Sequence, residues 1–173
     1  MRIARRAVIV AALLALLPTA AGAGVFVAVT DPNDVAGRLD LELVKGVRSA
    51  SGQPITFTIR MQAPFAKADL GPAADWVKVF LNVDGDASVD YVGTIKKTGT
   101  RLSVFFRGQG NNLEALPVQR PNLRTIRFTV PGGAPLAPNG PVSMIVQSHS
   151  VNAASCNMGC LDVAPNSFAW IAL

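Results

Sequence analysis

The feature that most constrains this chain is a period-two alternation of apolar and polar residues, repeated in short segments from Asp31 onward. Successive side chains of an extended strand point to opposite faces, so this pattern predicts strands with one buried face. The alternating apolar positions are Leu39, Leu41 and Leu43; Ile55, Phe57, Ile59 and Met61; Ile126, Phe128 and Val130; Val142, Met144 and Val146; and Phe168, Trp170 and Ala172. Turn residues separate the segments and no helical period is sustained. We therefore predict an all-β fold, an antiparallel β-sandwich of about seven to nine strands.

Several stretches between these segments are predicted to be loops. Residues 64–74 and 131–141 are rich in proline and glycine, which interrupt regular structure. The stretch 108–112 has the same character, and the short segment that begins at Leu113 is broken by Pro117.

The N-terminus has the organisation of a secretory signal peptide. Three arginines precede an apolar run from Ala7 to Leu17, and small residues ending at Ala23 follow Pro18. We predict that residues 1–23 are a cleaved signal and that residues 24–173 form a single domain. Because no charge occurs between Ala7 and Thr30, an uncut segment that anchors the protein in a membrane is the alternative.

Removal of the signal changes the inference from charge. It takes three of the 16 Lys and Arg residues and none of the 11 Asp and Glu residues, which leaves 13 against 11, a net charge of about +2. The basic pI therefore belongs partly to the signal, and nucleic acid is not an expected partner.

The two cysteines, Cys156 and Cys160, lie four positions apart in a chain that is predicted to be exported. An oxidising compartment favours a disulfide between them. A metal or redox pair is the alternative, but redox motifs have two intervening residues, and the chain has one His, His149, so that an ordinary zinc site cannot be assembled.

The stretch from Trp76 to Arg107 is predicted to form a three-stranded meander. A hairpin closed by the acidic turn gives an apolar face with the pairs Leu81 and Tyr91, Val79 and Gly93, and Val77 and Ile95. A second hairpin closed at Thr98-Gly99 continues that face with the pairs Ile95 and Leu102, Gly93 and Val104, and Tyr91 and Phe106. A slip of one residue would invert every side chain, so the agreement of both hairpins indicates this register.

The opposite face of the meander is predicted to be aromatic. The register aligns Phe80, Val92 and Phe105 in one row and places Trp76 beside Lys96 and Arg101. An exposed sheet face is usually polar, so either another segment covers this face or it is an exposed ligand surface formed by Trp76, Phe80 and Phe105.

The acidic turn carries five oxygen-bearing side chains at alternate positions: Asn82, Asp84, Asp86, Ser88 and Asp90. Calcium takes six to eight oxygen ligands, so this spacing is typical of a calcium loop. Residues 82–90 resemble the first nine residues of the loop of dockerin and EF-hand modules, but Ala87 replaces the expected glycine, Gly93 replaces the final carboxylate, and strands rather than helices flank the loop. The prediction is therefore a looser, turn-based calcium site and not an EF-hand. An ordinary acidic hairpin turn is the alternative, and the register also places Arg107 opposite Asp90 as a competing cation.

A catalytic role is the third interpretation of the turn. Asp84, Asp86 and Asp90 are candidate glycosidase carboxylates, although an exposed turn would leave them all ionised. Neighbouring strand residues point to opposite faces, so His149 cannot form a relay with the serines on either side of it.

At the level of the whole chain, two short motifs carry a resemblance. The opening Asp31-Pro32-Asn33-Asp34-Val35-Ala36-Gly37-Arg38-Leu39-Asp40 and the late Asp162-Val163-Ala164-Pro165 are similar to exported bacterial sandwich domains, of the family-9 carbohydrate-binding and DOMON-like types. The resemblance implies a jelly-roll or Ig-like sandwich, a structural calcium and an aromatic face that stacks on sugars.

Together these features predict an exported, non-catalytic binding or accessory module with a glycan or a cell-surface component as its partner and calcium as its one cofactor. The alternatives are a purely structural or protein-interaction domain at the cell surface, and a secreted hydrolase that uses Asp84, Asp86 and Asp90. No oligomeric state follows from the sequence.

Overall fold

The computed structural model describes residues 24–71, 75–108, 110–113, 115–133, 135–151 and 160–173. Within these residues the chain forms β-strands and one short 3-10 turn, Lys67–Asp69. The strands are β1 Val25–Thr30, β2 Leu41–Arg48, β3 Ile55–Met61, β4 Trp76–Asn82, β5 Tyr91–Thr98, β6 Arg101–Gly108, β7 Asn111–Asn112, β8 Leu116–Asn122, β9 Thr125–Val130, β10 Ser143–Ser150, β11 Cys160–Ala164 and β12 Ile171–Ala172.

The strands form one antiparallel sheet. Its hydrogen-bonded order is β1-β2-β3-β9-β8-β6-β5-β4-β10-β11, while β7 pairs with β6 and β12 pairs with β10. The sheet curls until β11 lies against β2, where the Leu41 amide donates a hydrogen bond to Asp162 Oδ2 at 2.5 Å. The result is a nearly closed cylinder whose seam lies between β11 and the β1–β2 end.

The prediction of an all-β antiparallel fold is confirmed, but the prediction of a two-sheet sandwich with seven to nine strands, jelly-roll or Ig-like, is wrong. β8 pairs with β6 through Leu102 and Val118, and with β9 through Gln119 and Arg127. This strand joins two halves that would otherwise be separate sheets. It was missed because the prolines within it lack the N–H group of a regular ladder and resemble a break.

The predicted alternation is confirmed in β3, β9 and β10, whose inward residues form much of the core. The core fills the inside of the cylinder, and its largest fully buried side chains include Tyr91, Phe57, Phe106 and Phe128. Phe57 stacks on Phe128 with ring centroids 5.0 Å apart, and Phe106 tilts against the same ring at 6.3 Å.

Two predicted alternations are wrong in phase. In β2 a register shift between Leu41 and Leu43 places Val44, rather than Leu43, in the core. Such a bulge inserts one residue and reverses the faces that follow it.

The second phase error lies near the end of the chain. Phe168 has a positive φ of 54° and is 57% exposed, which interrupts the extended backbone. The buried residues are Ile171 and Leu173, so the predicted set of Phe168, Trp170 and Ala172 does not form the buried face.

The register of the first meander hairpin is confirmed, with Leu81, Val79 and Val77 opposite Tyr91, Gly93 and Ile95. The second hairpin has the predicted inward face but is shifted by two residues, so that Gly93 faces Phe106 and Ile95 faces Val104. The turn is Gly99-Thr100 rather than Thr98-Gly99. Gly99 has φ of +59°, the conformation that a two-residue hairpin loop needs at its first position.

This shift changes the partners on the outer face. Phe105 lies opposite Thr94, Arg101 opposite Thr98, and Arg107 opposite Val92. The predicted pairing of Arg107 with Asp90 is therefore wrong, as is the placement of Arg101 beside Trp76.

β1 was not predicted, because it directly follows the apolar N-terminal stretch. It pairs with β2 along its whole length, from Val25 opposite Arg48 to Thr30 opposite Leu43. Among the described residues no helix is long and apolar enough to cross a membrane. The predicted signal peptide, residues 1–23, lies outside them.

Gly93 offers a test of the packing inside the cylinder. A Cβ at this position would lie 2.5 Å from Phe106 Cε1, so in Gly93→Ala the ring or its neighbours must shift within the core. We expect a loss of roughly 1 to 3 kcal/mol of unfolding free energy, as for other overpacked sites, measured by thermal or urea unfolding.

Gly140→Ala is the matched control, because no atom lies within 4 Å of the Cβ that it would add. An equal loss in both variants would show that side-chain crowding is not the cause.

Candidate metal centre

Four aspartates converge at the seam of the sheet. Asp31 directly follows β1, Asp34 lies in the loop after it, Asp40 directly precedes β2, and Asp162 is in β11. One carboxylate oxygen from each lies within 4.8 Å of those of the other three. Among the described residues this is the one group of three or more His, Cys, Asp or Glu side chains placed so closely.

Backbone hydrogen bonds hold the loop that carries three of these residues. The Asp31 amide donates to Glu42 O at 2.9 Å, which ties the end of β1 to β2. Gln62 contacts both sides of the loop: its amide donates to Asp40 O at 2.8 Å and its Nε2 donates to Asp31 O at 3.1 Å. The positions of Asp31 and Asp40 therefore depend on β2 and on the residue that follows β3.

The fourth carboxylate arrives from the other end of the sheet. Asp162 pairs with Ser148 of β10, and its side chain points to the same inner face. Ser148 Oγ donates to Leu39 O, and the Leu41 amide donates to Asp162 Oδ2. Side chains of β10 and β11 are thus hydrogen-bonded to the backbone on both sides of Asp40.

Three of the four side chains are almost completely buried. The exposed fraction is 6% for Asp31 and 2% for both Asp40 and Asp162, whereas Asp34 is exposed. Asp31 Oδ2, Asp40 Oδ1 and Asp162 Oδ1 are buried and have no hydrogen-bond partner among the described residues.

No cation of the described residues pairs with the cluster. The ion pairs among the described residues are those of Arg38 with Asp69 and of Glu42 with both Arg60 and Arg124, and none of them involves the cluster. Glu42 follows Asp40 by two positions, but its charge is already neutralised by two arginines. Negative charge is therefore concentrated inside the cylinder without compensation from this part of the chain.

The electrostatic consequence is a strong shift in protonation. Burial, reinforced by the charge of Asp162, raises the pKa of Asp31 from 3.8 to about 7. The same two causes, in the same order, raise the pKa of Asp40 from 3.8 to about 7. A buried carboxylate near others disfavours its charged form unless a positive charge joins it.

The donor set fits a hard divalent cation. All four side chains offer carboxylate oxygens, which suit Ca²⁺, Mg²⁺ or Mn²⁺ rather than zinc or copper. Calcium binds oxygen at about 2.3 to 2.6 Å, so ligands on opposite sides of the ion lie up to about 5 Å apart. The spacing of at most 4.8 Å between the four oxygens fits that limit. The exposed Asp34 leaves one side open for water.

The acidic turn is organised differently, because its hydrogen bonds are internal. Asn82 is buried, its Oδ1 accepts the Gly85 amide at 2.8 Å, and its Nδ2 donates to Asp86 O and to Ser88 O. Asp90 Oδ2 accepts the Val83 amide at 2.8 Å. The buried amide of Asn82 occupies the middle of the turn and stabilises its backbone.

The carboxylates of the turn do not converge as those of the seam do. Asp84 Oδ1 accepts the Asp86 amide at 3.1 Å, and Asp86 Oδ1 accepts the Ser88 amide at 2.5 Å. Hydrogen bonds from Ser88 lower the pKa of Asp86. Calcium at Asn82, Asp84, Asp86, Ser88 and Asp90 stays a prediction, and the seam is the stronger candidate.

The predicted ligand surface is half-buried. Trp76, Phe80 and Phe105 all lie on the outer face of the sheet and are neither fully covered nor fully exposed. The His149 ring stacks on Trp76, with centroids 5.3 Å apart and planes 8° apart. His149 therefore packs against an aromatic ring on this face.

The predicted disulfide falls partly outside the described residues. Cys160 is buried at the beginning of β11, two residues before Asp162. Cys156 lies outside the described residues, so the Cys156–Cys160 bond stays a prediction.

Comparison of the chain with protein-family models, with curated proteins and with solved structures found no match. The function must therefore be inferred from the geometry of the chain itself.

Sequence reasoning missed the seam cluster, although it singled out both segments that form it. Asp40 lies between Leu39 and Leu41, and Asp162 lies between Leu161 and Val163. Alternation places a polar residue between two apolar ones on the outer face, so it predicts that Asp40 is exposed, whereas Leu39, Asp40 and Leu41 are all buried. The contact that brings the two segments together, between Leu41 and Asp162, joins residues 121 positions apart. No local sequence pattern indicates such a contact.

The raised pKa values predict how the stability of the metal-free protein depends on pH. Asp31 and Asp40 have a pKa of about 7 when folded, against 3.8 ordinarily, so the folded state holds more protons between these values. The unfolding free energy should therefore fall as pH rises from about 4 to about 7, and then level off. Urea unfolding in a metal chelator across this range measures the slope.

Asp40→Asn removes one of the two titrating groups and should flatten the slope. A slope of the opposite sign, or one unchanged in this variant, would contradict the assignment of the titration to the cluster.

Proposed function

We propose that this chain is an exported, non-catalytic binding or accessory module whose nearly closed sheet is stabilised by a bound calcium ion. Asp31, Asp34, Asp40 and Asp162 would hold the ion. The observation that carries this proposal is the convergence of four carboxylates, three of them buried and with unpartnered oxygens.

The reason to invoke a cation is the free energy of the buried charges. An isolated buried carboxylate is strongly disfavoured, and neighbouring negative charges add repulsion. The described residues provide no positive partner, so the cluster must either remain protonated or bind a cation from solution. An exported protein meets millimolar calcium in many extracellular settings, a concentration that suits the affinities of extracellular calcium modules.

The position of the cluster favours a structural role for the ion. It joins the loop between β1 and β2 to β11, which are close to opposite ends of the strand order. A cation here would link the two sides of the seam and oppose opening of the cylinder. Only Asp34 is exposed, so the other three carboxylates are poorly placed to reach a large substrate.

Acid–base catalysis is the second candidate, because carboxyl groups with a pKa of about 7 are suited to proton transfer. A secreted hydrolase would then use Asp31 and Asp40 rather than Asp84, Asp86 and Asp90. Asp86 has a lowered pKa and is exposed, which makes it a poor general acid. Turnover of a glycan panel by the wild type, lost in Asp40→Asn, would favour this candidate over a binding module.

A purely structural or protein-interaction domain at the cell surface is the remaining alternative. It shares the calcium site with the first proposal and differs only in lacking a small-molecule or glycan ligand. Export rests on the predicted signal peptide, and secretion of a reporter fused to residues 1–23 tests it.

Calcium should raise the melting temperature of the purified protein. At a free calcium concentration about 100 times Kd, binding adds about 2.7 kcal/mol to the unfolding free energy. For a domain of this size we expect a rise in Tm of roughly 5 to 10 °C, followed by differential scanning fluorimetry and calorimetric titration. Magnesium should give a smaller rise, because it demands shorter bonds and keeps its water ligands.

Asp162→Asn should abolish the rise while it preserves an acceptor for the Leu41 amide. The same variant should be more stable than the wild type in chelator, because it removes one repelling charge. The double variant Asp84→Ala, Asp86→Ala is the matched control: it removes charge from the acidic turn and should keep the calcium-dependent rise. The reverse pattern would assign the metal to the turn instead of the seam.

A further inference from the structure

The outer face of β10, β4, β5 and β6 is distinguished by its chemistry. The inward residues of β4, β6 and β10 are buried, as are those of β5 as far as Ile95, and the outward residues alternate with them. The ladder aligns Gln147, Lys78, Thr94 and Phe105 in one row, and Ile145, Phe80, Val92 and Arg107 in the next. We call this outward surface of the four strands the basic aromatic face.

The face is basic because these strands contain no acidic residue. None of the four strands, β4, β5, β6 and β10, contains Asp or Glu. Lys78, Lys96 and Arg107 lie at outward positions. These cations have no acidic residue beside them in the same four strands, so the face carries a net positive charge although the chain without its predicted signal is close to neutral.

Acidic residues border the face without entering it. Asp75 directly precedes Trp76, and its Oδ1 accepts the Val151 amide at 2.7 Å. The acidic turn lies at the opposite end of β4. The central positions around Lys78 and Lys96 are therefore free of negative charge in the described strands.

Aromatic rings hold the two lysines in place. Lys78 Nζ lies 4.2 Å from the centroid of the Trp76 ring, and Lys96 Nζ lies 5.8 Å from that of Phe105. Such cation–π contacts orient an ammonium group that would otherwise move freely. Both lysines belong to a cavity of about 240 Å³, which is lined by Gly71, Trp76, Lys78, Thr94, Ile95 and Lys96.

We propose that the basic aromatic face binds an anionic glycan. Carboxylate or sulfate groups of the polymer would pair with Lys78 and Lys96, and the apolar side of its sugar rings would pack on Phe105 and the edge of Trp76. This inference rests on the proposed binding function and gives its ligand class. The combination of oriented cations with half-buried flat rings suits charged sugars better than a neutral glycan, which needs no lysine, or an acidic peptide, which needs no ring.

The experiment is affinity electrophoresis of the full protein, with calcium present, through gels that contain hyaluronan, chondroitin sulfate or heparin. Dextran provides a neutral glycan, and polyglutamate provides a polyanion without sugar rings. We expect at least one acidic glycan to retard the wild type at a concentration about tenfold lower than dextran or polyglutamate does. Equal retardation by polyglutamate would show that the face attracts any polyanion, and it would overturn the proposal. The proposal would also be overturned if hyaluronan, chondroitin sulfate and heparin all failed to retard the protein.

Lys78→Gln with Lys96→Gln should weaken retardation by about tenfold or more, since both charge contacts are lost. Lys45→Gln is the matched control, because Lys45 makes a similar contact with a ring, 4.4 Å from the Phe26 centroid, but lies on β2. Phe105→Leu retains apolar cover and removes the flat ring, so it should weaken binding to the glycan and leave any residual binding to polyglutamate unchanged. Retardation that is unaffected by the lysine pair would place the glycan elsewhere.

The two proposals fail separately. Calcium-dependent stabilisation that persists without glycan retardation would leave the metal site intact and reject this face as a glycan site. Glycan retardation that depends on Lys78 and Lys96 in a protein without a calcium response would retain the face and reject the ion.

Discussion

The structure depends on the continuity of its hydrogen-bonded sheet through β8. This strand pairs with β6 on one side and β9 on the other, so that two groups of strands become one sheet. A continuous twisted sheet of this length curls, and its far end returns to its beginning. The contact between β11 and β2 follows from that curvature, and it brings Asp162 beside Asp31 and Asp40.

The seam combines a structural necessity with an electrostatic conflict. Buried carboxylates at the closing point of a sheet destabilise it when they are ionised and unpaired. The raised pKa values of Asp31 and Asp40 reflect this cost, because the folded state favours their protonated forms. A divalent cation bound there, as proposed, would reverse the sign of that contribution. Stability of the cylinder would then respond to the surrounding calcium concentration.

The two acidic regions differ in how their charges are satisfied. In the turn from Asn82 to Asp90, backbone amides and one buried side-chain amide meet the oxygen atoms. At the seam, buried oxygens of Asp31, Asp40 and Asp162 have no partner among the described residues. Alternating oxygen-bearing residues are visible in a sequence, whereas the lack of a partner is visible only in three dimensions. This is why the turn attracted the metal hypothesis and the seam did not.

The sequence by itself determined the strand class, the inward residues of β3, β9 and β10, and the register of the first meander hairpin. These features are local, since side-chain alternation and turn residues act within a few positions of each other. The tertiary structure alone decided that the strands form one nearly closed sheet, that the second hairpin shifts by two residues, and that Asp162 meets Asp31 and Asp40. Backbone hydrogen bonds between distant strands do not depend on side-chain identity, so the sequence does not indicate which strands pair. The prolines of β8 made this strand, on which closure depends, resemble a loop.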